Sequence, residues 1–443
     1  MNTEDFRQHG INRRQFLGSS AANAAAAVGM VGVGLAAAAE SRKSPGVSKT
    51  PGDFRGVRLG IIGCRSQGLD LAKTFGGFRD VEVAAVCDVD EKVLASAAET
   101  VESIQKRPAR KVDDFRRLLD DKSLDAVVIA TPDHWHGPMA VLACAAGKDV
   151  YVESPLALTI DEGRRIVDAA KANGRVVQCG LQQRSGQHFI SAVNFVRSGR
   201  LGTVRMARAW CVHRRKPIGH KADAPVPPGV DYAMWLGPAP QRPFNPNRFH
   251  HNWHWYWDYG TGELGNWGVH LLDVARWGLD VELPARISST GGKHYFNDDR
   301  ETPDTQIVQF AYPGRTTIVW EHRLWSNHGM EGRSAACAFY GEHGTLIVDR
   351  GGWKVYGQKD APAADASNLL ETHCRNFLDC LKTRKPPAAD VETAATSSAL
   401  CHLGNIAHRV GREVAFDAAT GRFVDDVAAN TFLNRELRPE SRV

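Results

Sequence analysis

A chain of 443 residues, 43% hydrophobic and 24% charged, exceeds one ordinary hydrophobic core and has the composition of a globular protein, not of a disordered or fibrous one. The net charge of +5 is too mild to favour a nucleic-acid partner, and none is expected. The nine cysteines are odd in number and argue against a disulfide framework; Cys64, Cys87, Cys144 and Cys179 fall in apolar patterns that predict small core residues.

Residues 1–39 are predicted to be an export signal and not part of the fold. Arg13 and Arg14 precede Phe16, and an uncharged Ala/Gly-rich run occupies residues 24–39. This stretch resembles a twin-arginine (Tat) signal, which implies a folded protein outside the cytoplasm, with no membrane span once the signal is removed. An uncleaved signal anchor is the alternative. Residues 40–56 are predicted to be a flexible linker.

The region 57–179 is predicted to be a dinucleotide-binding domain. An apolar run from Arg58 enters a glycine-bearing turn, a helix follows, and a second apolar run ends at Asp88. Gly63 would make the tight turn, and Gly68 would let the helix pack close to the sheet. Amide groups at the helix start would bind a pyrophosphate, although Arg65 stands where the usual second glycine would be. A carboxylate at Asp88 favours NAD over NADP without excluding the latter.

Apolar and helical segments alternate from there to residue 179, which predicts an α/β doubly wound parallel sheet. The helix after the strand at 124–130 is expected to begin at Pro138. The intervening segment 131–136 follows the carboxyl end of that strand, which is where such folds bind their ligands.

Two motifs resemble the glucose–fructose oxidoreductase/inositol dehydrogenase family (Gfo/Idh/MocA). They are Ala-Thr-Pro-Asp-His-Trp-His at 130–136 and Tyr-Val-Glu-Ser-Pro at 151–155. The resemblance implies a Thr-Pro loop beside the nicotinamide and a Glu-Lys-Pro motif with a usually cis proline. Ser154 replaces the family lysine, which acts there in catalysis or substrate orientation, and serine cannot supply a cation. A homo-oligomer is also expected.

Residues 180–443 are predicted to form an α+β substrate domain with an open, mostly antiparallel sheet and C-terminal helices that pack back on the first domain. An aromatic-rich stretch at 231–260 is expected to contact a sugar through ring faces, and filling of the core is its alternative. The histidines at 250, 251 and 254 match no specific ligand spacing, so no metal is predicted.

A helix is predicted from about Leu264, and Asn266, His270 and Asp273 share one of its faces at i, i+4 and i+7. The family resemblance implies that His270 bonds to the reacting hydroxyl. A satisfied core histidine is the alternative. The predicted cofactor-binding residues are Gly63, Arg65, Gln67, Gly68, Asp88, Thr131, Pro132, His136, Glu153 and Pro155; the predicted substrate-binding residues are Ser154, Arg184, Trp253, His254 and Asp258.

The resulting hypothesis is an exported NAD(P)-dependent oxidoreductase that transfers hydride from a sugar, polyol or glycoside to a tightly bound cofactor. His270 would accept the hydroxyl proton because imidazole is poised near neutral pH. Two alternatives stay open. One is a redox-neutral glycosidase that uses retained NAD, oxidising C3 to a ketone and then eliminating the aglycone. The other is a nucleotide-binding protein without catalysis.

Overall fold

The computed structural model describes residues 56–359 and 362–438. The predicted export signal at 1–39 and all but the last residue of the predicted linker lie outside the described residues. Within the described ranges, no helix has both the length and the apolar character needed to cross a bilayer.

The first domain is the predicted doubly wound unit. Its strands are β1 (Val57–Ile62), β2 (Val81–Cys87), β3 (Arg110–Val112), β4 (Ala126–Ile129), β5 (Asp149–Val152) and β6 (Val177–Cys179). They pair in the order β3-β2-β1-β4-β5-β6, and each neighbouring pair is parallel. The connecting helices are α1 (Ser66–Gly76), α2 (Glu91–Gln105), α3 (Arg116–Asp120), α4 (Asp133–Ala145) and α5 (Ile160–Asn173).

Both faces of this sheet are buried, as continuous apolar strands require. Leu71 and Phe75 of α1 belong to the core on one face, and Met139 of α4 and Ile166 of α5 belong to the core on the other. All nine cysteines are buried and free. The predicted core role of the four cysteines of this domain is therefore confirmed.

Helix α4 begins at Asp133, five residues before the predicted start at Pro138. A proline inside a helix removes the N–H that would bond to the carbonyl four residues earlier, here that of His134. Arg435 supplies the missing donor, because its Nη2 lies 2.6 Å from the His134 oxygen. A contact from the far end of the chain thus permits a helix that the local sequence disfavours.

The second domain contains the predicted open sheet. Its first elements are α6 (Gln187–Arg197), β7 (Val204–Cys211), α7 (Tyr232–Leu236), α8 (Val269–Leu279), β8 (Arg286–Gly292), β9 (Thr305–Tyr312), β10 (Thr316–Arg323) and β11 (Ala335–Gly341). There follow β12 (Gly344–Asp349), β13 (Gly352–Tyr356), β14 (Ala363–Asp365), α9 (Leu370–Thr383), α10 (Val391–Val410), β15 (Val414–Asp417), β16 (Arg422–Phe423) and α11 (Val427–Asn430).

These ten strands pair in the order β14-β13-β12-β11-β7-β10-β9-β8-β15-β16. Only β7 and β10 are parallel neighbours among the described strands of this sheet, so the prediction of a mostly antiparallel sheet is confirmed. Helix α9 returns to the first domain, where Phe377 packs edge-on against Phe75 with ring centroids 6.3 Å apart. Arg375 and Lys382 of the same helix form ion pairs with Asp80.

Candidate active site

A cavity of about 580 Å³ lies where the carboxyl ends of the parallel strands face the second domain. The glycine turn after β1, the segments after β4 and β5, and the helix before α8 all contribute to its wall. Of the predicted site residues, the cavity is lined by Gly63, Arg65, Gln67, Asp88, Thr131, Pro132, His136, Glu153, Ser154, Trp253, His254, Asn266 and His270.

The turn after β1 requires its two glycines. Gly63 has φ +83°, and a Cβ there would lie 2.6 Å from the Ala130 carbonyl oxygen. A Cβ on Gly68 would clash with the carbonyl oxygen of Gly63, so only glycine lets α1 start this close to the turn. Arg65 is the N-cap residue of α1, and its exposed side chain lines the cavity. This turn fits a dinucleotide, because backbone and not side chain faces the cavity at Gly63 and α1 begins there.

Asp88 is fixed at the end of β2. Its two carboxylate oxygens accept the backbone N–H groups of Cys64 at 2.8 Å and of Asp90 at 3.1 Å. Burial raises the pKa of this carboxyl, and the two N–H donors oppose the rise by stabilising the charged form. The carboxylate is therefore held by backbone N–H groups at the wall of the cavity.

Glu153 joins three parts of the site. Its Oε1 accepts Gln67 Nε2 at 3.0 Å and Gln182 Nε2 at 3.3 Å, and the Tyr151 hydroxyl lies 3.4 Å away. Burial raises the pKa of Glu153 to about 7, so its charge changes near neutral pH. Glu153 thereby links the glycine turn, β5 and the start of the second domain through hydrogen bonds to one titratable carboxyl group.

His270 lies at the second-domain side of the cavity, opposite the family's lysine position. Its Nε2 is 3.3 Å from Ser154 Oγ, and its buried Nδ1 has no hydrogen-bond partner among the described residues. Burial first, and then the charge of Arg350, lowers the pKa of His270 to about 3. The imidazole is therefore neutral at physiological pH, and its pKa lies well below the near-neutral value that the sequence predicted.

Asn266 precedes His270 in a π-helical turn, Leu264–Gly268, which leads into α8. This wider turn, with one extra residue per hydrogen bond, is common at functional sites. Asn266 Nδ2 donates to Glu263 Oε2 at 3.4 Å, and this hydrogen bond orients the amide. Asn266 also lines the cavity.

Five predicted site residues do not line the cavity, and one of them is Gly68, which packs against the Gly63 carbonyl at the start of α1. Asp273, predicted to be catalytic, is buried in an ion pair with Arg184, predicted to bind substrate; the two nitrogens of the guanidinium lie 2.7 and 2.8 Å from its carboxylate. Asp258 pairs with Arg242 at 2.7 Å and lines a separate cavity of about 270 Å³. Pro155, joined to Ser154 by a cis peptide bond, contacts the site only through its carbonyl, 2.7 Å from His136 Nδ1.

The aromatic segment 229–260, named here the strap, connects the second domain to the residues that follow β2 in the first domain. Asp231 N donates to the Val89 carbonyl at 2.9 Å, and His250 Nε2 lies 2.7 Å from Asp90 Oδ2. Further along, Trp135 Nε1 donates to the Met234 carbonyl at 3.1 Å. Some strap rings line the cavity, as predicted for sugar contact, whereas others form a buried cluster of their own.

Sequence reasoning missed some cavity residues, among them Trp267 and Arg350. Trp267 follows Asn266 directly, so its place beside a predicted site residue was a usable signal. Arg350 carried no such signal, because it lies in a short turn between two ordinary strands.

One group of potential metal ligands lies close to the cavity. A ligand atom from each of Cys211, His213 and Glu263 lies within 4.8 Å of the others. Arg215 Nη2 donates to Glu263 Oε1 at 2.9 Å, and Cys211 Sγ donates to the same oxygen at 3.2 Å. These contacts already satisfy the carboxylate, so the group is explained without an ion.

Two named proteins are similar in sequence to part of this chain. The chain is 32% identical over 235 residues to an alpha-N-acetylgalactosaminidase from Shewanella oneidensis, covering 48% of this chain and 49% of that protein. It is 32% identical over 228 residues to a glycosyl hydrolase family 109 protein from Shewanella sp. strain MR-4, with the same coverage. The aligned part thus spans about half the length of the curated relatives it matches.

Among solved structures, a levoglucosan dehydrogenase in complex with NADH and levoglucosan superposes with a TM-score of 0.63 at 16% identity, covering 82% of this chain and 99% of that one. An aldose-aldose oxidoreductase from Caulobacter crescentus in complex with glycerol gives a TM-score of 0.63 at 20% identity, covering 82% and 100%. At these identities the likeness concerns the fold.

Family matches cover most of both domains. Residues 57–181 match the oxidoreductase family with the NAD-binding Rossmann fold, and residues 213–323 and 353–443 match the C-terminal alpha/beta domain of the same family. The predicted resemblance and the predicted NAD cofactor are therefore confirmed at the level of the family. The chain belongs to the Gfo/Idh/MocA oxidoreductase family, whose nucleotide-binding domain has the NAD-binding Rossmann fold.

Proposed function

We propose that this chain is an NAD-dependent oxidoreductase that acts on a carbinol group of a sugar, polyol or glycoside. The observation that carries the proposal is the convergence of the glycine turn, Glu153 and His270 on one cavity. A dinucleotide-binding turn and a neutral, buried imidazole facing each other across a cleft are what hydride transfer with proton removal requires.

Bound NAD would supply the acceptor for the hydride of the carbinol carbon, and the glycine turn and Glu153 would hold it. His270 takes the hydroxyl proton at Nε2, the nitrogen beside Ser154, because the ring is neutral at working pH. Asn266, oriented by Glu263, positions the hydroxyl. Gln67 and Gln182 hold Glu153 beside the glycine turn, where it would bind the nicotinamide-side ribose.

A redox-neutral glycosidase is the second candidate. Two observations favour it: the 32% identity to an alpha-N-acetylgalactosaminidase, and the strap, which ties the second domain to Val89 and Asp90 beside the nucleotide turn. A strap that hinders release would retain the cofactor, and a retained cofactor must be regenerated in each turnover. Such an enzyme cleaves a glycoside without a net change of NAD.

The test uses the purified chain with nitrophenyl glycosides and free sugars, first without and then with added NAD. Nitrophenol release without added NAD and without accumulation of reduced cofactor supports the glycosidase. Reduced nicotinamide that accumulates only with added NAD supports the dehydrogenase. Mass spectrometry of the denatured protein reports whether NAD co-purifies. No bound nucleotide and no turnover on any substrate would overturn both candidates.

We also infer from residues 1–39 that the chain is exported folded, by the twin-arginine route. Replacing Arg13 and Arg14 by lysine is expected to keep the protein in the cytoplasm, as measured by cell fractionation. A homo-oligomer is proposed as well, and its mass in solution tests that proposal.

A further inference from the structure

The tip of one hairpin projects an arginine into the cavity. Arg350 and Gly351 form the two-residue turn between β12 and β13, and Arg350 lines the cavity. Asp349 holds this turn: its Oδ1 accepts the Gly351 N–H at 2.8 Å, and its carbonyl oxygen lies 3.1 Å from His188 Nε2 on α6. The backbone that carries Arg350 is thus fixed from both sides of the turn.

The guanidinium of Arg350 rests on the ring of Trp267, with its central carbon 4.6 Å from the ring centroid. Stacking on an aromatic face holds the guanidinium in place and leaves its in-plane N–H donors available. No carboxylate or carbonyl in the described part of the chain accepts a hydrogen bond from Arg350. By contrast, Arg184 and Arg215 are neutralised by Asp273 and Glu263.

Arg350 stands near both His270 and Glu153, because its charge lowers the pKa of each. Trp267 follows Asn266 in the π-helical turn, so the stacked guanidinium lies beside the segment that bears Asn266 and His270. After burial, the charge of Arg350 is the largest influence that lowers the pKa of His270. An arginine fork on this wall faces the substrate, and it matches the two oxygens of a carboxylate better than a lone hydroxyl.

We propose that Arg350 binds an anionic oxygen substituent of the sugar, such as the carboxylate of a uronic acid, and makes the cavity prefer acidic to neutral sugars. This inference rests on the proposed function for the assignment of the cavity, and it adds the class of substrate. The guanidinium of Arg350 also supplies a cation in a site where Ser154 replaces the family's lysine.

The test measures binding to the NAD-loaded full chain by calorimetry. The ligands are D-glucuronate and D-galacturonate, with D-glucose and D-galactose as neutral matches. We expect the wild type to bind the uronates at least about tenfold more tightly, as charge-assisted bonds allow. Arg350→Gln should abolish that preference, and Arg350→Lys should restore part of it. Arg200→Gln is the matched control, because Arg200 is an exposed arginine that stacks on Phe195 outside the cavity.

Each outcome decides the proposal. Equal affinity for acidic and neutral sugars, or an unchanged uronate preference in Arg350→Gln, overturns it. A loss of NAD from Arg350→Gln that Arg200→Gln does not share would also overturn it, since the cation would then serve the cofactor. A uronate preference that depends on Arg350, in a protein without turnover, supports this inference while it overturns the proposed function.

Discussion

Ser154 Oγ and His270 Nε2 lie 3.3 Å apart, so the residue in the family's lysine position contacts the imidazole predicted to move the proton. A lysine there would place a second cation beside a ring whose pKa is already lowered by burial and by Arg350. Serine adds no charge and provides one rotatable hydroxyl. This hydroxyl donates to Nε2 when that nitrogen carries no proton, and it accepts from Nε2 when the nitrogen is protonated. The pair therefore orients His270 and leaves it neutral.

Replacement of Ser154 by alanine is expected to lower kcat about fivefold, which corresponds to the loss of one neutral hydrogen bond of about 1 kcal/mol. The NAD content should not change, because the Ser154 hydroxyl contacts His270. Ser154→Thr keeps the hydroxyl and serves as the control. An alanine variant with wild-type kcat would show that the contact has no role in turnover.

Removal of the His270 imidazole should have a larger effect. His270→Ala is expected to lower turnover by about 10²- to 10⁴-fold, the usual contribution of a general base, while NAD stays bound. Because the pKa of His270 is lowered to about 3, protonation of this ring should not reduce kcat between pH 8 and pH 5. A variant that turns over normally would contradict this role. A rate that falls in the range of an ordinary histidine would also contradict it if the fall persists in Glu153→Gln, because Glu153 titrates near pH 7 in the same cavity.

Glu153 predicts a pH dependence of stability. Its folded-state pKa is raised from the ordinary 4.5 to about 7, so the folded protein binds a proton that the unfolded chain has lost between these values. This contribution to stability is full below pH 4.5 and is lost as pH rises through about 7. Glu153 lines the cavity and is partly exposed to water. Water therefore weakens the shift, and the expected change in unfolding free energy is about 1–2 kcal/mol.

The measurement compares Glu153→Gln with the wild type by denaturant unfolding at pH 5 and pH 8. The variant should gain stability relative to the wild type as pH rises, since glutamine has no proton to lose. Glu99→Gln, an exposed carboxylate on α2, corrects for general effects of removing a charge. A difference between variant and wild type that is the same at both pH values would refute the raised pKa.

The parallel sheet was predictable because its signals are local. Continuous apolar runs mark buried strands, and the run at 124–130 contains β4, all four residues of which are buried. The start of α4 was not predictable, since Pro138 disfavours a helix there and the compensating donor is Arg435, about 300 residues away in the chain. At the start of α4, a tertiary hydrogen bond outweighs the local sequence preference.

The lining of the cavity was predictable where motif and strand end coincide, as at Gly63, Asp88 and Glu153. His270 lies on a helix and was found from the family resemblance. Helical spacing placed Asp273 with His270, but spacing does not reveal which polar residue finds a buried partner, and Arg184 comes from a distant segment. Arg350 reaches the cavity only because the order of the ten-stranded sheet brings its turn there. Long-range placement of this kind leaves no trace in a single sequence.

The buried pair of Asp273 and Arg184 predicts a structural effect. Asp273→Asn leaves Arg184 without its carboxylate and should cost about 3–5 kcal/mol of unfolding free energy, whereas Arg276 keeps its ion pair with Glu282. Asp280→Asn is the control, because Asp280 is 81% exposed in its pair with Arg197 and should change stability by less than about 1 kcal/mol. A stable Asp273→Asn variant that has lost turnover would restore the original assignment of Asp273 as catalytic.

The strap predicts the rate at which the cofactor leaves. His250 Nε2 lies 2.7 Å from Asp90 Oδ2, and Asp90 also caps α2 directly after the strand that ends beside Asp88. His250→Ala cuts this tie between the strap and the nucleotide side. Loss of one hydrogen bond to a charged group, worth about 1.5–3 kcal/mol, should speed NAD release by at least about tenfold if the strap must open first.

Release is followed by rapid dilution of the NAD-loaded protein and by the NAD that stays with it on gel filtration. His220→Ala is the matched control, since His220 forms a similar pair with Asp299 at 2.6 Å but does not line the cavity. If His250→Ala loses NAD and then requires added NAD for glycoside cleavage that the wild type performs without it, retention by the strap is what makes the wild type redox-neutral. If both variants retain NAD as the wild type does, the strap does not control release, and the structural argument for the glycosidase is lost.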